Sequence, residues 1–192
     1  MKKQFLLMMM VLLPMVVSAD DSGTCGDNAT WSWVASTKTL TISGTGWMKD
    51  YGYLPDDDVY YLYDTPWQNY NAEIQTIIIQ PGIVSVGGGA FRDCINLTSV
   101  TIPSSVEFIR PLAFYGCSSL SSINIPNGVL SIDYNVFEGC NSLTSITIPS
   151  SVTYICVSKY YNAFAGCGGL TSIQVESGNT RYDSRNDCNA II

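Results

Sequence analysis

Apolar residues fall in fixed columns along most of this chain. Ile74, Leu97, Leu120, Leu143 and Leu170 share one position. Ile77, Val100, Ile123, Ile146 and Ile173 share a second, and Ile79, Ile102, Ile125, Ile148 and Val175 a third. The last two columns lie two residues apart, so their side chains point to one side of a strand. The positions between them (Thr76, Ser99, Ser122, Ser145 and Ser172, then Ile78, Thr101, Asn124, Thr147 and Gln174) point to the other. The pattern predicts a sheet with an aliphatic inner face and an outer ladder of small hydroxyls and amides. The unit is 23 residues long, except for the copy from Leu143, which is 27. A repeat this short cannot bury its own apolar side and needs a neighbour, which predicts a right-handed solenoid.

Each predicted strand ends in a turn, marked by Pro103, Pro126 and Pro149, with Gly82, Gly128 and Gly178 two places on from that position. A second apolar pair follows: Val106 and Ile109, Val129 and Ile132, Val152 and Ile155. An A-F-x-G-C-like corner closes the unit and sets Phe91, Phe114, Phe137 and Phe164 in an aromatic spine. The corner has room for no more than a turn or two of helix or 3-10 helix. One coil therefore reads as a strand, a turn, an extended return and a brief helical corner.

Before the repeats the rhythm changes. Trp31 to Val34 and Thr39 to Gly44 alternate at period two and predict a hairpin. Asp20 to Asn28 reads as a polar loop, and Trp47 to Tyr70, rich in Tyr and Asp, reads as a long loop in good part. The organisation is a signal peptide over 1–19, an N-terminal β cap and Tyr/Asp-rich loop over 20–73, and four repeat coils over 74–169. A last strand and a truncated C-terminal segment fill 170–192. The leader rests on Lys2 and Lys3, the apolar run from Phe5 to Val17 and the small residues Val17-Ser18-Ala19. The apolar end at Ile191-Ile192 lacks a polar closing unit, so a fragment, or an end covered by a partner, is expected.

L-T-S-[VI]-T-I-P-S-S-V followed by A-F-x-G-C-x-x-L resembles the leucine-rich repeats of BspA-like bacterial surface proteins. The resemblance covers about 74–180. TCGDNATWSW, TLTISGTGWM and TPWQNY resemble the leader such proteins place before their first repeat, and RYDSRNDCNAII resembles a non-repeat segment of some relatives. The resemblance implies a fold that is mainly β with short helical or 3-10 corners. It also implies a secreted or surface-exposed module for adhesion or recognition, with no catalytic residues to carry over.

Charge narrows the partners. Charged residues are 13% of the chain and the formal charge is −7, two units more negative without Lys2 and Lys3. No basic cluster exists, so nucleic acid and anionic membrane surfaces are poor partners, and no second long apolar segment predicts a membrane span. There is no histidine, which removes the commonest general base and the Ser-His and Cys-His pairs. The repeats supply carboxylates only at Asp93, Glu107, Asp133 and Glu138, so a glycosidase is the weakest reading. No catalytic residue, cofactor or metal is assigned.

The cysteine column (Cys94, Cys117, Cys140, Cys167) invites a zinc or disulfide reading. Stacked, parallel side chains suit neither converging zinc ligands nor a disulfide. Small buried hydrophobes are the expectation. Asp56-Asp57-Asp58 reads as a solvated acidic loop. Recognition is expected where the repeat is broken, at Tyr51, Tyr53, Tyr60, Tyr61 and Tyr63 and at Lys159, Tyr160 and Tyr161 in the four-residue excess. Tyr gives large contact area at low entropic cost, although the lead-in rings would equally serve as a cap. The partners expected are extracellular proteins of a host, a matrix or another cell, with a glycan as the alternative.

Overall fold

The computed structural model describes residues 18–53, 61–62, 64–157 and 161–183. The leader lies almost wholly outside them, as do Asp56, Asp57, Asp58 and Cys188. The elements are β1 (Asp21–Thr24), β2 (Ala29–Val34), β3 (Thr39–Gly44), β4 (Gly46–Trp47), β5 (Gly52–Tyr53) and β6 (Tyr61–Leu62). After a 3-10 helix (Gln68–Tyr70) come β7 (Thr76–Ile79), β8 (Ile83–Val86), β9 (Ser99–Thr101), β10 (Phe108–Ile109), β11 (Ser131–Ile132), β12 (Ser145–Ile148), β13 (Tyr154–Ile155) and β14 (Ser172–Val175).

The first sheet runs β1-β2-β3-β7-β9. The predicted hairpin is present as β2 and β3, antiparallel, and β1 adds a third strand where a polar loop was expected. β3 then pairs parallel to β7, with Leu40 opposite Ile77 and Ile42 opposite Ile79. The hairpin therefore prolongs the repeat sheet, and its inner residues Trp31, Trp33, Leu40 and Ile42 continue the buried rows. β7 pairs with β9, and β12 with β14, each one repeat on and in register. The column residues from Ile74 to Ile148 are buried, apart from half-buried Val100.

The extended return is itself a strand. β4, β8, β10, β11 and β13 form a second parallel sheet, most of its repeat strands only two residues long, with Val86, Ile109, Ile132 and Ile155 in one buried row. Strands this short give no usable period-two signal.

The corners are not helical. Their amides alternate in where they donate. Gly89, Phe91 and Asp93 N–H donate forward to the carbonyls of Pro111, Ala113 and Tyr115 in the next repeat, while Ala90, Arg92 and Cys94 N–H donate back three residues. Residues 112–117 follow the same alternation. A helix needs all of these donors within itself, so it cannot propagate. The backbone also enters the left-handed region at Asp93 (φ 59°) and Gly116 (φ 71°), which share a column. Among the described residues the one 3-10 helix lies before the first repeat.

The predicted spine is a continuous stack, with ring centroids 5.4 Å apart for Phe91–Phe114, 5.8 Å for Phe114–Phe137 and 5.7 Å for Phe137–Phe164. The cysteine column is a ladder of free thiols. Cys117, Cys140 and Cys167 each donate S–H to the carbonyl of the spine phenylalanine one repeat back, at 3.2, 3.3 and 3.0 Å. Burial pushes Cys94 and Cys140 up from 9.0 to about 12. On the turns, Ser105 Oγ accepts from Gly82 N–H and donates to the Ile83 carbonyl (3.1 and 2.8 Å), and Ser151 does the same for Gly128 and Val129.

Ser105→Ala removes both bonds of one turn and is expected to cost about 1 kcal/mol in a urea titration. The buried thiols give a second expectation. The folded chain keeps protons that the unfolded chain releases above its ordinary thiol value of 9.0. Stability is thus untouched by these groups below pH 9.0 and falls as pH rises toward about 12. Iodoacetamide at neutral pH should leave Cys94, Cys117 and Cys140 unmodified until denaturant is added. Labelling of the native chain at these three positions would contradict the ladder.

Candidate functional site

Two broad faces are open to solvent. On the first sheet the outer ladder is exposed at Ser99, Thr101, Ser122, Asn124, Ser145, Thr147 and Gln174. The face carries no charge at these positions and is interrupted in the third repeat. Ile123 and Ile125 stay seated in the core, at 9% and 6% exposed. Yet the backbone from Ser122 to Ile125 makes no ladder bond to β9 or to β12. Asn124 stands where β9 and β12 have Thr101 and Thr147, and Asn is a poor strand former where Thr is a good one. A cavity of about 320 Å³ opens between the parted segments, lined by Ser99, Val100, Ser122, Asn124 and Thr147.

On the second sheet, strand register sets Trp47, Ser85, Phe108, Ser131 and Tyr154 in one row. Trp47 stacks on Phe108 at 5.0 Å. The Arg110 guanidinium lies 5.9 Å from the indole centre and forms an ion pair with Asp50 at 3.2 Å. Trp47 and Tyr154 remain half exposed, at 51% and 50%. Burial raises Asp133 above the usual carboxylate range, against the opposing pull of Arg110.

The residues expected to bind a ligand do not share one fate. Tyr51 is 3% exposed and packs edge-on against Trp67 at 5.6 Å, with burial pushing its hydroxyl up. Its ring belongs to the cap core. This follows from its neighbours, because Trp67 is flanked by Trp31, Tyr51 and Phe91 and donates its indole N–H to the Ala90 carbonyl at 2.9 Å. Tyr53 and Tyr61 are backbone register partners in the β5–β6 pair. Tyr60, Tyr63, Lys159 and Tyr160 lie outside the described residues. Tyr161 is half-buried, 5.6 Å from Tyr134, where the Val157–Asn162 bridge closes the insertion.

Sequence reasoning missed Trp47 and the opening at Ser122–Ile125. For Trp47 the signal is weak, since β4 is two residues long. For the opening it is Asn124, the one column member that breaks the Thr pattern between two intact strands. Among the described residues no group of three or more His, Cys, Asp or Glu could hold a metal ion, and no helix is long and apolar enough to cross a membrane.

Parallel strands paired one repeat apart, over a stack of identical corners, define a leucine-rich repeat protein. The family described as BspA type leucine rich repeat region (6 copies) matches residues 68–188, and the chain belongs to that family. Among solved structures, a leucine-rich repeat protein from Eubacterium ventriosum is 25% identical, with a TM-score of 0.58 over 83% of this chain and 45% of its own. The leucine-rich repeat protein of T. pallidum is 25% identical, with a TM-score of 0.52 over 74% of this chain and 66% of its own. A leucine-rich cell surface protein from Faecalibacterium prausnitzii, 24% identical with a TM-score of 0.52 over 84% of this chain and 44% of its own, shares the fold. The chain thus spans less than half of the first and third of these proteins. No curated protein matches it.

Amides without ladder partners exchange quickly. The amides of Ile123 and Ile125 are expected to exchange with deuterium faster than those of Ile146 and Ile148, and Asn124→Thr is expected to slow them. Equal protection in the two repeats would show that the third strand is paired in solution.

Proposed function

We propose that this chain is a non-enzymatic recognition module, secreted or held at the cell surface, whose repeats form a solenoid that binds extracellular protein. The observation that carries this reading is the outer face of the first sheet. Exposed, uncharged hydroxyl and amide side chains sit there on a rigid parallel scaffold, with unpaired backbone groups at the opening by Ser122 to Ile125. Such groups favour an interface that is polar and built from many modest contacts. Extent and avidity supply the strength. Export is supported by the expected leader at 1–19 and by the small share of charged residues.

The breaks in the repeat add specificity in this reading. Tyr53, Tyr60, Tyr61 and Tyr63 would form one contact loop, and Lys159, Tyr160 and Tyr161 a second. Tyr51, buried in the cap core, has no part in the contact.

The test is surface plasmon resonance of the chain without residues 1–19 over immobilised collagen, laminin and fibronectin. Saturable binding to at least one is expected, and Thr101→Lys with Thr147→Lys should weaken it about tenfold or more without moving the melting temperature. Binding that ignores these two lysines would remove the sheet face from the mechanism. Binding that survives alanine at Tyr53, Tyr60, Tyr61 and Tyr63 together would remove the loop.

A further inference from the structure

The chain holds four tryptophans, and three of them are core: Trp31, Trp33 and Trp67 are 5%, 1% and 0% exposed. Trp47 is 51% exposed, yet it is not loosely held. It lies in β4, the edge strand of the second sheet, with Phe108 stacked on the indole and Arg110 beside it. The result is a fixed aromatic plate at a sheet edge.

Trp47 is also among the residues that line a cavity of about 580 Å³ between the cap and β4. Buried Cys25 and Tyr51 lie along it, with Asp27, Lys49 and Asp64 as its charged lining residues. The wall is built rather than incidental. Lys49 N–H donates to the Cys25 carbonyl at 2.7 Å, which ties the strand after Trp47 to the turn that carries Asp27. Gly26 permits this approach, since a Cβ there would lie 2.2 Å from the Trp47 carbonyl oxygen. The Lys49 ammonium stands 6.0 Å from the Tyr51 ring centre, and both residues line the cavity.

Small-molecule sites are typically about 300–1,000 Å³, mostly apolar or aromatic, with a few polar groups that fix orientation. A flat aromatic plate beside two carboxylate acceptors and one ammonium donor matches a particular ligand chemistry. The ligand needs one apolar, ring-sized face to lie on the indole, and hydroxyls around its rim to donate to carboxylates and accept from Lys49. A pyranose ring has both. The negative charge of the chain disfavours acidic sugars.

We propose that this cavity is a binding subsite for a neutral hexopyranose, with Trp47 as the stacking plate, Asp27 and Asp64 as hydroxyl acceptors and Lys49 as donor. The subsite stands apart from the sheet-face reading above. It uses the opposite sheet and the cap, and it takes a sugar rather than a protein.

Trp47 supplies its own reporter, because acrylamide reaches an exposed indole and not the three buried ones. The chain without residues 1–19 is titrated with methyl β-galactopyranoside, methyl β-glucopyranoside and methyl N-acetyl-β-glucosaminide. At least one should lower quenching saturably, with a Kd of about 1–10 mM, as befits a single ring on one plate. Asp27→Asn with Asp64→Asn changes two exposed side chains, leaves the plate intact and should raise that Kd about tenfold or more. Calorimetry on Trp47→Ala should show no binding. The proposal is overturned if none of the three glycosides alters quenching, or if the Asp variant binds as the parent does. Capture of matrix protein by the sheet face is measured on the same variants and should be unchanged, so either reading can fail alone.

Discussion

The corners of this chain complete their backbone on the repeat that follows. The amides of Gly89, Phe91 and Asp93 find their acceptors in residues 111–115, and those of Leu112, Phe114 and Gly116 find theirs in residues 134–138. A buried amide without an acceptor is costly. No corner can therefore move alone, lengthen or wind into a helix without stranding its neighbour's donors. The other regularities follow. Phenylalanines stack because their backbones are fixed at one spacing. The thiols form a ladder because Cys117, Cys140 and Cys167 each meet the carbonyl of the preceding repeat's phenylalanine.

A stack of this kind has an end problem, and the N-terminal segment answers it with continuity. β3 enters the first sheet in register with β7, and β4 enters the second beside β8. Trp67 takes the place that a further phenylalanine would hold, 5.9 Å from Phe91, and its indole N–H closes on the Ala90 carbonyl. A phenylalanine there could fill the space but not satisfy the oxygen. Tyr70 stacks on Trp33 at 5.1 Å and donates to Asp21, which draws β1 onto the same body.

The parts legible in the sequence were those that recur. Five-fold columns of Ile, Leu and Val announce a strand and its buried face, and a column of Phe announces a spine, because identical residues at one spacing must meet. Two-residue strands such as Phe108–Ile109 leave no period to read. β1 was hidden because Asp21 to Thr24 holds no apolar residue and exists only through its pairing with β2. Tyr51 looked like a binding residue because Tyr is ambiguous by nature, and only its packing on Trp67 decides its side. Trp47 was passed over for the converse reason. It sits among residues that look like loop, and its exposure depends on β4 being an edge, a fact of topology.

The turn column reads Gly82, Ser105, Gly128, Ser151, Gly178, and the serines bond back to the glycines before them. The array therefore has a parity. A glycine turn offers an amide, and a serine turn supplies the hydroxyl that takes it. Excising one repeat would set glycine beside glycine or serine beside serine and leave a donor or a hydroxyl without its mate. Excising two restores the alternation. At the level of the turns the unit of inheritance is the pair, and arrays of this kind can grow and shrink by twos at lower cost than by ones.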